Sequence, residues 1–137
     1  MSTGSDLEGK VALITGGGGG FGRAIAKAYA DAGVRVIITD ARESGKAVAD
    51  EVGGSFMMAD LSDMEATREL CAQAIESEGG VDILVNNAGL QHIAPVEDFP
   101  DDDWARLVQI MLVAPFQLTK YVVPGMKERG WGRIINL

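Results

Sequence analysis

Five glycines, Gly16 to Gly20, follow Thr15 and precede Phe21-Gly22-Arg23. Glycine is required where a chain turns sharply or where its backbone must touch a ligand. Backbone N–H groups at the start of a helix point outward, and the helix dipole adds to their attraction for an anion. Two spacings are satisfied at once: Gly17-x-Gly19-x-x-Gly22, the general dinucleotide pattern, and Thr15-Gly16-x-x-x-Gly20-x-Gly22. A triphosphate-binding loop is excluded, because no Lys-Ser or Lys-Thr follows. A glycine run also suits a flexible linker, but here a short apolar segment stands on one side and a helical pattern on the other. Asp40 favours the cradle. It lies 24 residues after Gly16, where a carboxylate reaches the adenosine ribose hydroxyls. The same charge repels a 2′-phosphate, which favours NAD over NADP, while Arg42 two residues on softens that preference. A solvated strand end is the plain alternative for Asp40.

The elements that must position these residues read as alternating strands and helices. Lys10–Ile14 is a short apolar run, consistent with a buried strand. Ile25, Ala26, Tyr29 and Ala30 repeat at helical spacing up to Gly33. Val34–Thr39 is rich in β-branched residues and predicts a second strand, and a helix over roughly 43–51 ends at Gly53-Gly54. The segment SFMMAD predicts a third strand. Ser62-Asp63-Met64-Glu65 fits a capping box opening a helix to about Glu78, with Leu70, Ala74 and Ile75 on its inner face. Val81–Val85 predicts a fourth strand. A long helix follows from Asp101, with Trp104, Leu107, Val108, Met111, Leu112 and Leu118 expected inward, and WGRIINL predicts a fifth strand. Such alternation means βαβ units, a parallel sheet and right-handed crossovers.

Composition narrows the function. At 137 residues the chain is about one domain. Hydrophobic residues make up 47%, which excludes a disordered chain. The formal net charge of −8 argues against a nucleic-acid partner and requires any anion to be held by local donors. No apolar run approaches the ~20 residues of a membrane span, and the start MSTGSDLEGK has no apolar signal core. A cytoplasmic location without membrane contact is expected. One cysteine, Cys71, and one histidine, His92, leave no disulfide and no Cys/His metal cluster. Cys71 falls on a helical core position and is expected to be buried. Asp101, Asp102 and Asp103 suit the first turn of a helix, where negative charge meets the dipole.

Together these residues resemble the short-chain dehydrogenase/reductase family, from Lys10 to the end of the chain. Asp60-Leu61 closes the third strand where that family sets an acid against the adenine. Asn86-Asn87-Ala88-Gly89 closes the fourth and is similar to a four-residue family signature, with asparagines bonding neighbouring backbone and Ala88 and Gly89 leaving room for a cofactor. The resemblance implies a Rossmann-type doubly wound α/β fold with strand order 3-2-1-4-5, truncated after the fifth strand, over residues 1–137 as the N-terminal part of a longer dehydrogenase. It implies NAD contacts from Thr15, Gly16, Gly20, Phe21, Gly22, Asp40, Asp60, Leu61, Asn87, Ala88 and Gly89. Within the family, GLQHIAPVEDFP (residues 89–100) and PGMKERGWGRIIN (residues 124–136) look like members that oxidise a short 3-hydroxy acid to the 3-oxo acid with NAD. That likeness implies that Gln91 donates its amide N–H to the substrate carboxylate. It also implies a homo-oligomer, a tetramer in the complete protein. Gln91 as an exposed loop residue, and His92 as a packing residue or a participant in the site, remain alternatives.

The family's chemistry uses a serine, a tyrosine acid/base and a lysine that lowers the tyrosine pKa. Here Ser77 is the last serine, and neither Tyr29 nor Tyr121 has a lysine four residues later. The expectation is a cofactor-binding part, inactive alone. The rivals are a 3-oxoacyl reductase of the same family and, with Leu137 as the true terminus, a non-catalytic NAD-binding module. A family asparagine in the long helix corresponds to Met111. Pro115, four residues on, has no N–H. Two readings stand there: a Met111 carbonyl that holds a water, or a plain proline kink.

Overall fold

A computed structural model describes residues 6–137. The first half of the polar start MSTGSDLEGK lies outside the described residues. Five parallel strands form one sheet: β1 (Val11–Thr15), β2 (Arg35–Asp40), β3 (Ser55–Met58), β4 (Ile83–Asn86) and β5 (Arg133–Asn136). Their order is β3-β2-β1-β4-β5, the Rossmann-type arrangement. Helices α1 (Gly20–Asp31), α2 (Ser44–Val52), α3 (Met64–Glu78), α4 (Asp101–Val108) and α5 (Ala114–Arg129) provide the connections.

Both faces of the sheet are covered at its centre, which is why β1, β2 and β4 read as unbroken apolar runs rather than alternating ones, while β5 is exposed along its length. On β1, Val11 and Leu13 face α3 and α5 with Leu70, Ala74, Leu118 and Val122. Ala12 and Ile14 face α1 and α2 with Ala26, Val48 and Ala49. Each buried Leu, Ile or Val contributes about 1.5–3 kcal/mol. By length and mean hydropathy (1.3) the helical run Asp101–Arg129 could cross a bilayer. Ala114, Leu118, Val122 and Met126 on that run are instead buried against the sheet.

The register decides where the site falls. Thr15 pairs with Thr39 across β1 and β2, so Gly16 and Asp40 leave the sheet side by side. Ile14 pairs with Val85, and Asp40 with Met58, so Asn87 and Ala59 leave at the same edge. This is the carboxyl edge, at the switch point between β1 and β4 where the chain order reverses and a crevice opens.

Three sequence expectations are corrected. The long helix is not one α-helix: Gln109–Val113 is a π turn between α4 and α5, with Ala114 N–H donating to Gln109 O. Pro115 is the cause, since it cannot donate to Met111 O and its ring would strike that carbonyl. The extra residue shifts the phase of everything before it. Trp104, Met111 and Leu112, expected inward, are therefore exposed (62%, 50% and 67%), while Leu118 beyond the turn is buried. The cap of α3 is Asp63 rather than Ser62: Asp63 Oδ1 accepts from Glu65 N (2.8 Å) and Ala66 N (3.1 Å).

Candidate cofactor site

At the carboxyl edge a cavity of about 620 Å³ opens between the glycine loop, the ends of β2 and β3, and α4. Gly16, Gly19 and Gly20 form its floor. The five consecutive glycines and Gly22 divide by what a side chain would meet. A Cβ on Gly16 would sit 2.8 Å from Ala88 Cα, on Gly17 2.7 Å from Ile38 Cγ2, and on Gly18 2.7 Å from Asp40 Oδ2. A Cβ on Gly22 would strike Gly16 O and lie 2.9 Å from Asn87 Nδ2. Gly19 and Gly20 face nothing within 4 Å. Four glycines thus serve packing and two border open space. Gly20 also needs its freedom for a positive φ of 56°. Helix α1 starts there without any side-chain cap, so its first N–H groups are available to an anion.

Beneath the loop, Thr15 is 1% exposed. Its Oγ1 accepts from Asn87 N (3.0 Å) and Ala88 N (2.9 Å) and donates to Val85 O (3.4 Å). One donor and two lone pairs are all used. Asn87 returns the tie, its Nδ2 donating to Thr15 O (3.2 Å) and Gly16 O (3.1 Å). Thr15, Gly22 and Asn87 therefore lock the β1 and β4 exits together. Asn86, expected to bond neighbouring backbone, instead donates its Nδ2 to Asn136 Oδ1 at 2.8 Å.

Asp40 lines the cavity with a mostly buried carboxylate. Oδ2 accepts from Gly18 N at 3.1 Å and Oδ1 from Arg42 N at 3.1 Å, with Arg42 Nε 3.9 Å away. The carboxylate is fixed in direction yet keeps lone pairs free for hydroxyl donors. Asp60 and Leu61 line the cavity as well. Asp60 Oδ1 accepts from Ser62 Oγ (2.6 Å) and Ser62 N (2.9 Å). These bonds hold its pKa below the ordinary carboxylate value, with a smaller pull from Arg106.

Ala88 and Gly89 also line the cavity. Phe21 is 80% exposed at the start of α1 and stands outside the lining. Gln91 is exposed and also outside it. His92 Nδ1 lies 3.3 Å from Asp103 Oδ2, and its ring meets Phe99 edge-on at 5.0 Å. Arg106 and Ile110 complete the wall and were missed from the sequence, although their four-residue spacing sets them on one helical face. Thr39 was missed too. It lines the cavity, is fully buried, and its Oγ1 has no partner among the described residues.

The short chain dehydrogenase family model matches residues 10–137, and the chain belongs to this family. It is 40% identical over 137 residues to D-beta-hydroxybutyrate dehydrogenase of Cupriavidus necator, covering 96% of this chain and 53% of that one. It is 38% identical over 135 residues to the 3-oxoacyl-[acyl-carrier-protein] reductase FabG of Vibrio cholerae, covering 96% and 55%. Among solved structures, a metagenomic short-chain oxidoreductase in complex with NADP superposes with a TM-score of 0.90 at 34% identity, covering 95% of this chain and 62% of that one. The chain spans about half the length of the curated relatives it matches.

Proposed function

We propose that residues 1–137 form the NAD-binding part of a longer short-chain dehydrogenase that oxidises a small 3-hydroxy acid, 3-hydroxybutyrate to acetoacetate. The observation that carries this reading is Asp40, fixed by Gly18 N beside a loop whose Gly19 and Gly20 border open space. The likeness to D-beta-hydroxybutyrate dehydrogenase supports the substrate class.

The residues fit a dinucleotide. The uncapped N–H groups of α1 and the bare backbone of Gly19 and Gly20 suit a pyrophosphate. Asp40 suits ribose hydroxyls, and its charge disfavours a 2′-phosphate there. Asp60 and Leu61, with a Thr39 hydroxyl that has no partner among the described residues, suit the adenine. Ala88 and Gly89, just beyond β4, would leave room for the nicotinamide half. NAD supplies hydride acceptance when bound. These residues bind and orient it, while Thr15 and Asn87 keep the two strand exits in register. Gln91, on the exposed loop after β4, is proposed to meet the substrate carboxylate once that loop is covered. The proton acceptor is proposed to come from sequence outside these 137 residues, so the chain alone binds without turning over. The reading includes a cytoplasmic homotetramer without nucleic-acid or membrane partners.

A second reading, an NADP-using 3-oxoacyl reductase, is favoured by the likeness to FabG and by the NADP complex of the structural neighbour. Arg42 beside Asp40 is the residue it would use. Calorimetric titration with both cofactors decides between them: tighter NAD binding supports the dehydrogenase, and tighter NADP binding supports the reductase.

A further inference from the structure

Gln117 is a glutamine where the core asks for a leucine. It is 6% exposed, one turn from the buried Ala114 and next to the fully buried Leu118. Burying a carboxamide is costly unless it is bonded. Here both ends are used: Nε2 donates to Met64 O at 3.2 Å, and Oε1 accepts from Gln109 Nε2 at 3.4 Å. Gln109 Nε2 also approaches Leu61 O at 3.5 Å. Two amides on one helical run thus reach the carbonyls of Leu61, within the segment between β3 and α3, and of Met64, at the start of α3.

Residues eight apart on an α-helix lie roughly 80° apart around the axis. They would not share a face. The π turn at Gln109–Val113 absorbs one residue, making the pair equivalent to seven apart, roughly 20° from alignment. The turn therefore brings Gln109 and Gln117 to the same side, toward Leu61 and Met64. Ile110, adjacent to Gln109, and Leu61 both line the cofactor cavity and belong to one buried cluster. The amide pair fastens together the two segments that carry them.

We infer that Gln109 and Gln117 are positioning residues that hold the adenine wall of the cavity in place, by tying the Asp60–Met64 segment to the π turn. This rests on the dinucleotide reading above. An adenine meets a preformed wall that includes Leu61 and Ile110, and the segment carrying Asp60 is restrained from swinging away. The nicotinamide end, built on Ala88 and Gly89, has no hydrogen bond to either glutamine among the described residues.

The test uses the full chain, Gln117→Met and, as a second variant at a less buried position, Gln109→Met. Each is titrated calorimetrically with NAD, AMP and nicotinamide mononucleotide, and amide hydrogen exchange is followed in parallel. The expected result is a loss of about fivefold or more in affinity for both NAD and AMP, with nicotinamide mononucleotide unaffected. Exchange at Leu61–Met64 quickens while Leu118 and Val122 stay protected. Unchanged AMP affinity in a folded variant overturns the inference, as does an equal loss for the mononucleotide. A general rise in exchange across α5 also overturns it, since that marks a structural role. Wild-type chain that binds neither NAD nor AMP removes the dinucleotide reading itself, and the inference with it. Wild-type binding with unaltered variants removes the inference alone.

Discussion

Asp40 Oδ2 accepts a hydrogen bond from Gly18 N at 3.1 Å, joining the end of β2 to the middle of the glycine loop. The contact ties the glycine loop to the acid proposed to select the sugar. Asp40→Ala releases Gly18 N and Arg42 N and leaves Arg42 without its neighbouring charge. NAD affinity is expected to fall about 10- to 100-fold, and the preference for NADP to rise. Paired titrations with the two cofactors measure both effects. Unchanged selectivity would show that the carboxylate does not read the ribose.

Gly19 and Gly22 should respond oppositely to alanine. Gly19 has extended backbone (φ 178°), open to any residue, and empty space beside it. Gly19→Ala should keep stability within about 0.5 kcal/mol yet weaken dinucleotide binding at least about tenfold. Gly22→Ala drives a methyl into Gly16 O and should cost about 1–3 kcal/mol before any ligand is considered. Urea unfolding and calorimetry on the two variants separate the roles.

Thr15→Val keeps shape and removes three hydrogen bonds. The amides of Asn87 and Ala88 lose their acceptor in a buried setting, at about 1–3 kcal/mol for each group left unsatisfied. A loss of at least about 2 kcal/mol in urea unfolding is expected. A loss under 0.5 kcal/mol on the same scale would mean that other partners replace the hydroxyl.

Asp60 should stay ionised further into acid than an ordinary aspartate, because Ser62 donates to it twice. A depressed carboxylate pKa stabilises the fold above the unfolded-state value, and that contribution disappears as the pH falls through the folded-state value. The window therefore lies below the ordinary carboxylate range. Ser62→Ala should move the Asp60 titration upward, as read by carboxyl-carbon NMR. An unmoved midpoint would show that the serine hydroxyl is not the cause.

Cys71 is buried, and desolvation pushes its thiol from 9.0 up to about 12. A raised pKa means that the unfolded thiol ionises first. This residue's contribution is complete below 9.0 and is lost as the pH rises toward about 12. Iodoacetamide at pH 8 should label Cys71 no faster than the chain opens. Labelling at the rate of a free thiol would contradict its burial.

Much of the architecture was legible because parallel sheets covered on both sides write themselves as unbroken apolar runs. Asp40 was legible for a related reason: a strand of known length beginning after Gly33 has to end near it. Trp104, Met111 and Leu112 were placed on the wrong face because the π turn breaks the 3.6-residue period. Pro115 was visible, but its consequence for phase was not. The role of Thr15 in binding Asn87 and Ala88 depends on partners more than 70 residues away, which only the β1–β4 register reveals. Gln117 is a polar residue on a largely apolar helix, and nothing local announces that it is buried. Asn86 went astray because its partner is a side chain on a strand that pairs only after folding.

The division among the loop glycines sets where this protein has room to change. Gly16, Gly17, Gly18 and Gly22 are hemmed in by neighbouring atoms of the fold itself. A mutation at any of them is punished in every environment, whatever molecule is present. Gly19 touches nothing of its own chain and has an extended backbone, so an incoming guest would supply the main steric restraint on it, whereas Gly20, equally clear of neighbours, is still held to glycine by its positive φ. Drift toward another guest has that one door available, and the remaining five are bolted from within.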